Sequence, residues 1–418
     1  MNTLDCDVLV VGGGAAGVAA AVAAGRSGAR VVLLERYAFL GGMATAGAVG
    51  TVCGLYLRDT SRSKPELVAS GFLREFAERL ARASSSKPLR LKHGLWVLPF
   101  QPWAFAQVAD GVVTDVRKIT LVLHATVAGV AAGDGRIHAV RALAWNEPLT
   151  IRPKWVVDCS GEATVAALAG GPVQNGLAEQ APALVFTLEN ADPHFAQSGW
   201  LDVLRAVRRA VVRRRLPPGC DRLALVPRGE HDGRVAFKLN LATDRPAQSS
   251  WLQPTAWERN GRALVDALQR FLIENTASFR GARFGGAAAQ VGVRTGRRIQ
   301  GMATLTDEDV QTGRKSACGI ARGGWPMERW GEEQKPSMRY FPERECYEIA
   351  LDCLRPAGLS NILVAGRCLS ATPSALASAR VIGTCLATGW AAGTVAAFAA
   401  SEKTTTQAIA RIRRQMTE

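Results

Sequence analysis

Residues 7–35 read DVLVVGGGAAGVAAAVAAGRSGARVVLLE. A valine- and leucine-rich run gives way to three glycines, an Ala/Val-rich stretch, a second apolar run and a closing acid, Glu35. That order predicts strand, tight turn, helix, strand. Gly12, Gly14 and Gly17 keep a G-x-G-x-x-G spacing. Gly12 permits the turn, Gly14 lets the backbone approach a pyrophosphate, and Gly17 allows the helix to pack on the sheet with its N-terminal amides facing the phosphates. Glu35 follows roughly 20 residues later, where a carboxylate can accept ribose hydroxyls. The spacing alone could be an Ala/Gly-rich core turn. The flanking strand, helix, strand and acid favour a nucleotide grip.

Next comes RYAFLGGMATAG, residues 36–47. Gly41 and Gly42 suit a backbone running beside a longer, flavin-bearing ligand, or an ordinary loop turn. Far along the chain, NILVAGRCLSATPSALASARVIGTCLATGWAAGTVAA (361–397) gives another buried strand, Gly366-Arg367 and a small-residue helix. An arginine at a strand end can pair with phosphate as a planar fork, or be a solvated surface residue. Two phosphate-reading stretches so far apart imply one cofactor clasped by both.

With WVVDCSGEATVAALAG (155–170), VGVRTGRRIQG (291–301) and LTDEDV (305–310) added, the chain resembles the bacterial FAD-dependent oxidoreductases of the fumarate reductase/succinate dehydrogenase flavoprotein superfamily. The resemblance covers both ends well and the middle in patches. It implies an α/β fold: a glutathione reductase-type Rossmann FAD domain with an inserted α+β substrate domain. It also implies that Gly12, Gly14 and Gly17 bind the pyrophosphate, Glu35 the ribose, and that Arg36 borders the adenine. Gly42, Met43, Ala44 and Thr45 would pass along the flavin. Val127, in HATVAGV, would offer its backbone to the adenine or be a core valine. Gly161, in DCSGE, would close the nucleotide side, while Gly366 and Arg367 approach the phosphates and ribityl chain. Gly383 and Thr384 would aim helix N-terminal amides at the flavin pyrimidine edge, where negative charge gathers on reduction. Pro373 stands where the family pattern has histidine, and Glu162 keeps an acid the pattern expects.

Length and composition fit. The 418 residues, 48% of them hydrophobic, can bury a large core and suggest two domains. The longest apolar stretch, near the C-terminus, is interrupted by Arg380 and reads as a buried packing helix. The start of the chain, with Asp5 and Asp7, lacks a basic lead segment, so a cytoplasmic protein with no membrane span is expected. Nine cysteines without a CxxC pair argue against a disulfide framework, a structural metal and a dithiol reductase. His93, His124, His138, His194 and His231 show no helical HxxxH spacing. The net charge of +15 raises nucleic acid as a partner. In RAVRRAVVRRR (205–215), however, Val203, Leu204, Val207 and Val211 share one side, which favours a solvated helix face over an RNA-facing patch.

The expected FAD domain takes residues 1–172 and 355–418, and the substrate domain 173–354. In the latter, APALVFTLEN, DRLALVPRG and GRVAFKLNLATD read as strands, with a hairpin turn at GEHDGR. QPTAWERNGRALVDALQRFLIENT reads as a helix with Leu264, Leu268 and Leu272 on one stripe. SSSKP near Ser85 reads as a surface loop. Arg294 and Arg298, spaced as one helical turn, could clamp a carboxylate or tie the domains together. Trp325 and Trp330 could wall a flat ligand or simply pack. Tyr347 is the acid-base candidate in place of the missing histidine, or a core tyrosine.

No second G-x-G-x-x-G is present, so no separate NAD(P)H domain is expected. The reading is an FAD-dependent dehydrogenase or oxidase. It takes a hydride from a small organic substrate, anionic if the arginines clamp it, with oxygen, a quinone or a partner protein as electron acceptor. The alternatives are a flavin-dependent reductase of an unsaturated substrate, an RNA-acting flavoprotein and a catalytically inactive FAD-binding protein.

Overall fold

The computed structural model describes residues 2–417 except 178, 193–194, 196–198, 228–232, 244–248 and 332–335. Strand Asn2–Val11 lies at the centre of the main sheet, with Val31–Leu34 and then Ile119–Val122 parallel to it on one side. On its other side runs the long strand Glu147–Asp158, also parallel. The near end of that strand turns antiparallel to Arg136–Ala144 and thence to Ala125–Gly133, while its far end pairs in parallel with Ile362–Val364. The result is a mixed α/β architecture whose parallel strands come from both ends of the chain. Val8 to Val10, Leu33, Val156, Val157, Leu363 and Val364 are wholly enclosed, which accounts for their continuous apolar runs.

Helix Ala15–Arg26 follows the first strand, and helix Ile382–Ala400 packs along it. Side chains at Gly389 and Gly393 would overlap the carbonyl oxygens of Ala16 and Ala20. The small-residue composition of the long helix therefore serves close backbone contact. It is long and apolar enough to cross a membrane by length and composition, but 83% of its apolar window is buried inside the protein.

A second apolar cluster runs from Leu184 to Val291. Its antiparallel sheet has the order Leu223–Leu225, Val235–Asn240, Ala183–Glu189, Arg283–Ala287. Helix Gln253–Asn275 buries Leu264, Leu268 and Leu272 in this cluster. In its centre Phe186 stacks on Phe237 with centroids 5.2 Å apart, and Phe279 meets Phe237 edge-on at 5.7 Å. Helix Trp200–Val212 turns Val203 and Val207 inward, and Arg205 lies outside, paired with Asp202 at 3.1 Å. The hairpin turn expected at GEHDGR falls largely on 228–232, outside the described residues. Ser85 is exposed, as its loop reading expected.

Two expectations are corrected. Residues 173–354 do not pack as one unit: Ile299, Leu305, Val310, Ile320, Tyr347 and Ile349 join the first core, so packing returns to that core near residue 299. VGVRTGRRIQG is not helical either. Arg297–Ile299 is a strand paired with Val173–Asn175, and Arg294 lies in the irregular stretch before it. Gly292 and Gly296, together with β-branched Val291, Val293 and Thr295, disfavour a helix there.

Candidate functional site

The cleft begins where the first strand ends. Gly12 has φ +96°, and a side chain there would come within 2.6 Å of the Cys159 carbonyl oxygen. A side chain at Gly17 would overlap the carbonyl oxygen of Gly12. Gly17 therefore sets the helix against the turn and lies behind the cleft rather than on its wall. Helix Ala15–Arg26 starts at Gly14 without a side-chain cap, leaving its first amides available to an anion. Gly14 pairs with Gly41, whose amide donates to the Gly13 carbonyl at 2.8 Å. A side chain on Gly42 would come within 2.9 Å of Gly14 Cα. Two backbone segments thus lie side by side with no side chain between them, a cradle that fits a pyrophosphate.

Glu35, 4% exposed, closes the second strand. Its Oε2 accepts the Gly13 amide at 2.6 Å and its Oε1 the Tyr37 amide at 2.8 Å. Burial pushes its carboxyl up, against the pull of those amides. Each oxygen keeps a second lone pair, so ribose hydroxyls can still be accepted. Arg36 stacks 4.7 Å from the Tyr37 ring centroid and donates to its hydroxyl at 2.7 Å. Tyr37 in turn donates to Gln290, which adjoins Val291 of the second apolar cluster. Arg36, Met43, Ala44 and Val127 all line the cleft. Thr45 does not; its hydroxyl donates to the Gly42 carbonyl at 3.0 Å and steadies that turn.

The far wall is built by the DCSGE turn and by Gly366-Arg367. Asp158, fully buried, accepts the amides of Ser160 (3.0 Å), Val165 (2.8 Å) and Ala166 (3.2 Å) and so fixes the turn. Gly161 leaves room for the Arg367 guanidinium, which lies against it. Arg367 donates to the Val293 carbonyl and stands 4.0 Å from Glu162 Oε1. It therefore both lines the cleft and ties it to Val293, which packs against the second apolar cluster. Beyond Arg367 a second space opens, bordered by Tyr37, Glu162, Trp251, Trp257 and Gln290.

Several expected residues lie elsewhere. Gly383 gives its amide to the Cys53 carbonyl at 2.9 Å and packs on Gly54; Thr384 is fully buried. Neither lines the cleft, which is bordered instead by Ile382 and Cys385 of the same helix and by Arg380. Tyr347 is fully buried, with its hydroxyl 2.8 Å from Ser378 Oγ, and its phenol is pushed up by burial. It does not reach the cleft. Arg298 is 4% exposed and grips Glu179 through two bonds of 3.0 and 2.9 Å, tying strand to loop. Arg294 is buried apart from Arg298 and donates to Asn240 Oδ1 at 2.8 Å. The expected clamp of these two arginines is not formed. Pro373 occupies the first helical position of Pro373–Ala379, where its missing N–H costs nothing. Asp307 accepts the Thr372 hydroxyl and the Ala375 amide beside it. All nine cysteines are free thiols.

Sequence reasoning missed Asp158, Arg380, Ile382 and Cys385. Asp158 had a signal, an acid at a strand end before Ser-Gly. Arg380 was visible only as a charge interrupting an apolar stretch.

The profile of the family described as FAD dependent oxidoreductase matches residues 7–417. The chain belongs to this family. It is an FAD-dependent flavoprotein oxidoreductase. A thiamine thiazole synthase of Methanococcus aeolicus is 29% identical over 167 residues, 40% of this chain and 59% of that protein, so the chain matches under two thirds of its length. Among solved structures, BexE, studied for oxidation during BE-7585A biosynthesis, is 13% identical with a TM-score of 0.50; the match covers 98% of this chain and 65% of that one. A geranylgeranyl bacteriochlorophyll reductase-like protein of Thermoplasma acidophilum is 14% identical with a TM-score of 0.46, covering 99% of this chain and 83% of that one. At these identities the likeness to BexE speaks to the fold alone.

Proposed function

We propose that this flavoenzyme is a dehydrogenase or oxidase that removes a hydride from a small organic substrate. The observation that carries the reading is one continuous cleft bordered by Gly12, Gly14, Glu35, Val127, Gly161, Gly366 and Arg367. Bound FAD supplies a hydride acceptor at N5. The open amides at Gly14 and the start of its helix would hold the pyrophosphate, and Glu35 would accept the ribose hydroxyls. Val127 and Arg36 would border the adenine. Arg367 would meet phosphate or ribityl oxygens as a charge-assisted donor. Met43, Ala44, Ile382 and Cys385, which line the same cleft, would lie beside the flavin.

The parallel sheet with its antiparallel flap supports a glutathione reductase-type FAD domain, and the shared motifs support the fumarate reductase/succinate dehydrogenase superfamily. The FAD domain takes 1–172 and 355–418, joined by the stretch from about 299, which leaves 173–298 as the inserted substrate unit. Electrons leave to oxygen, a quinone or a partner protein. Nine free thiols suit the reducing cytoplasm.

Anaerobic mixing of the yellow protein with a metabolite panel tests the reading. Bleaching of the flavin by at least one organic substrate, reversed by oxygen or a quinone, is expected. A flavin that no donor bleaches, but that a reductant converts into a reductase of unsaturated substrates, overturns it.

A further inference from the structure

Beside the Ile382 end of the cleft lies a charge cluster that cofactor binding does not absorb. Lys238, Arg294 and Arg380 gather around Trp330 and Glu328, from four separate parts of the chain. Lys238 Nζ is 3.8 Å from the Trp330 ring centroid, and the Arg294 guanidinium carbon is 4.7 Å from the same centroid. Arg380, which lines the cleft, donates Nη2 to Gln180 Oε1 at 3.1 Å and to the Glu328 carbonyl at 3.4 Å. Glu328 is the carboxylate among them. Its oxygens accept the indole N–H groups of Trp325 and Trp330, each at 2.8 Å, and the described ion pairs include none between it and the three cations.

With Lys238 protonated, three cations and one carboxylate leave two positive charges in excess, Arg294 buried and Lys238, Glu328 and Arg380 half-buried. Two donors there lack partners among the described residues, Arg380 Nε and Gln180 Nε2, although Gln180 is only 3% exposed. Buried cations and unmet donors are costly unless an anion completes them. The strain shows in the ionisation. Burial, then Arg294, draws Lys238 down to about 7, and burial, then Arg380, draws Arg294 down to about 9. Burial works to raise Glu328, but Lys238 and Arg380 outweigh it and hold the carboxyl below its ordinary range.

We propose that this cluster is the seat of a carboxylate on the substrate, met at the cleft wall by Arg380, with Gln180 behind it, and held in the field of Lys238 and Arg294. The proposal rests on the reading of the cleft given above and assigns its substrate class, an organic acid. Trp330, pinned by Glu328, carries both cations on its ring and so fixes where the anion sits.

The test is calorimetric titration of the FAD-loaded protein with acetate, benzoate and succinate, and with the matching amides, in two buffers of different ionisation enthalpy at pH 8.5. At least one carboxylate should bind at least tenfold more tightly than its amide. Binding should take up part of a proton, because the anion restores the charge on Lys238; the groups facing that lysine are Arg294, Glu328, Cys53 and Arg380. Lys238→Met should weaken binding at least tenfold and reduce the proton uptake to the share that Arg294 contributes. Lys238→Arg should keep the binding with the same reduced uptake. No carboxylate bound, equal affinity for acid and amide, or wild-type proton uptake in Lys238→Arg overturns the proposal, and the arginine variant decides if the methionine variant does not fold. Failure of the cofactor reading shows separately, as protein that takes up no flavin, and the same titration of flavin-free protein still measures the anion site.

Discussion

Glu35 holds two backbone amides together while facing the cleft, so removing it has two effects. Glu35→Ala should weaken FAD retention by about 1 to 3 kcal/mol through unmet ribose hydroxyls and amides, read as the shift in FAD dissociation constant. Retention at the parental level would contradict the ribose role. Tyr347→Phe should reduce flavin at the parental rate and lower stability by about 0.5 to 1.5 kcal/mol, since the phenol is paired with Ser378 inside the core. Stopped-flow reduction beside urea unfolding separates the two. Lys238 gives a pH dependence. Its folded value, about 7, lies below the ordinary 10.5, so above pH 7 the unfolded chain binds a proton that the native chain has released. Stability of the ligand-free protein should therefore rise with pH from about 7 until thiols titrate, by at most about 1.4 kcal/mol per pH unit from this group. Lys238→Met should flatten that rise in denaturation series at several pH values.

At the scale of elements, the glycines of helix Ile382–Ala400 hold it against helix Ala15–Arg26. Gly389→Ala would set a methyl group on the Ala16 carbonyl, where backbone on both sides prevents relaxation. A loss of about 1 to 3 kcal/mol in unfolding free energy is expected, with release of FAD as the helices separate; unchanged stability would mean that the helices can shift apart freely. The first strand, its glycine turn, helix and terminal acid were legible in the sequence because each is specified by residues within a few turns of one another. Gly383 was misread because its amide meets Cys53, a partner no local pattern names. Arg294 and Arg298 were misread because spacing alone cannot tell a helix from a glycine-broken strand. The cluster of Lys238, Arg294, Glu328 and Arg380 was invisible for a related reason, since its members are brought together only by tertiary packing.

At the scale of the whole molecule, two residues that line the cleft are tied to the segment next to the second apolar cluster, Tyr37 to Gln290 and Arg367 to Val293. The first core is itself completed late. Its central strands come from the beginning of the chain, yet strand Ile362–Val364 and helix Ile382–Ala400 close the sheet and cover the first helix. On a ribosome adding about 5 to 20 residues per second, the glycine turn is made first and waits on the order of tens of seconds for the segments that shelter it. During that interval the edge of Glu147–Asp158 and the inner face of Ala15–Arg26 are open to water and to other nascent chains. Stalled chains ending before Ile362 should thus be cleaved readily by protease and hold no flavin, whereas chains in which Ala400 has cleared the exit tunnel should acquire both resistance and colour.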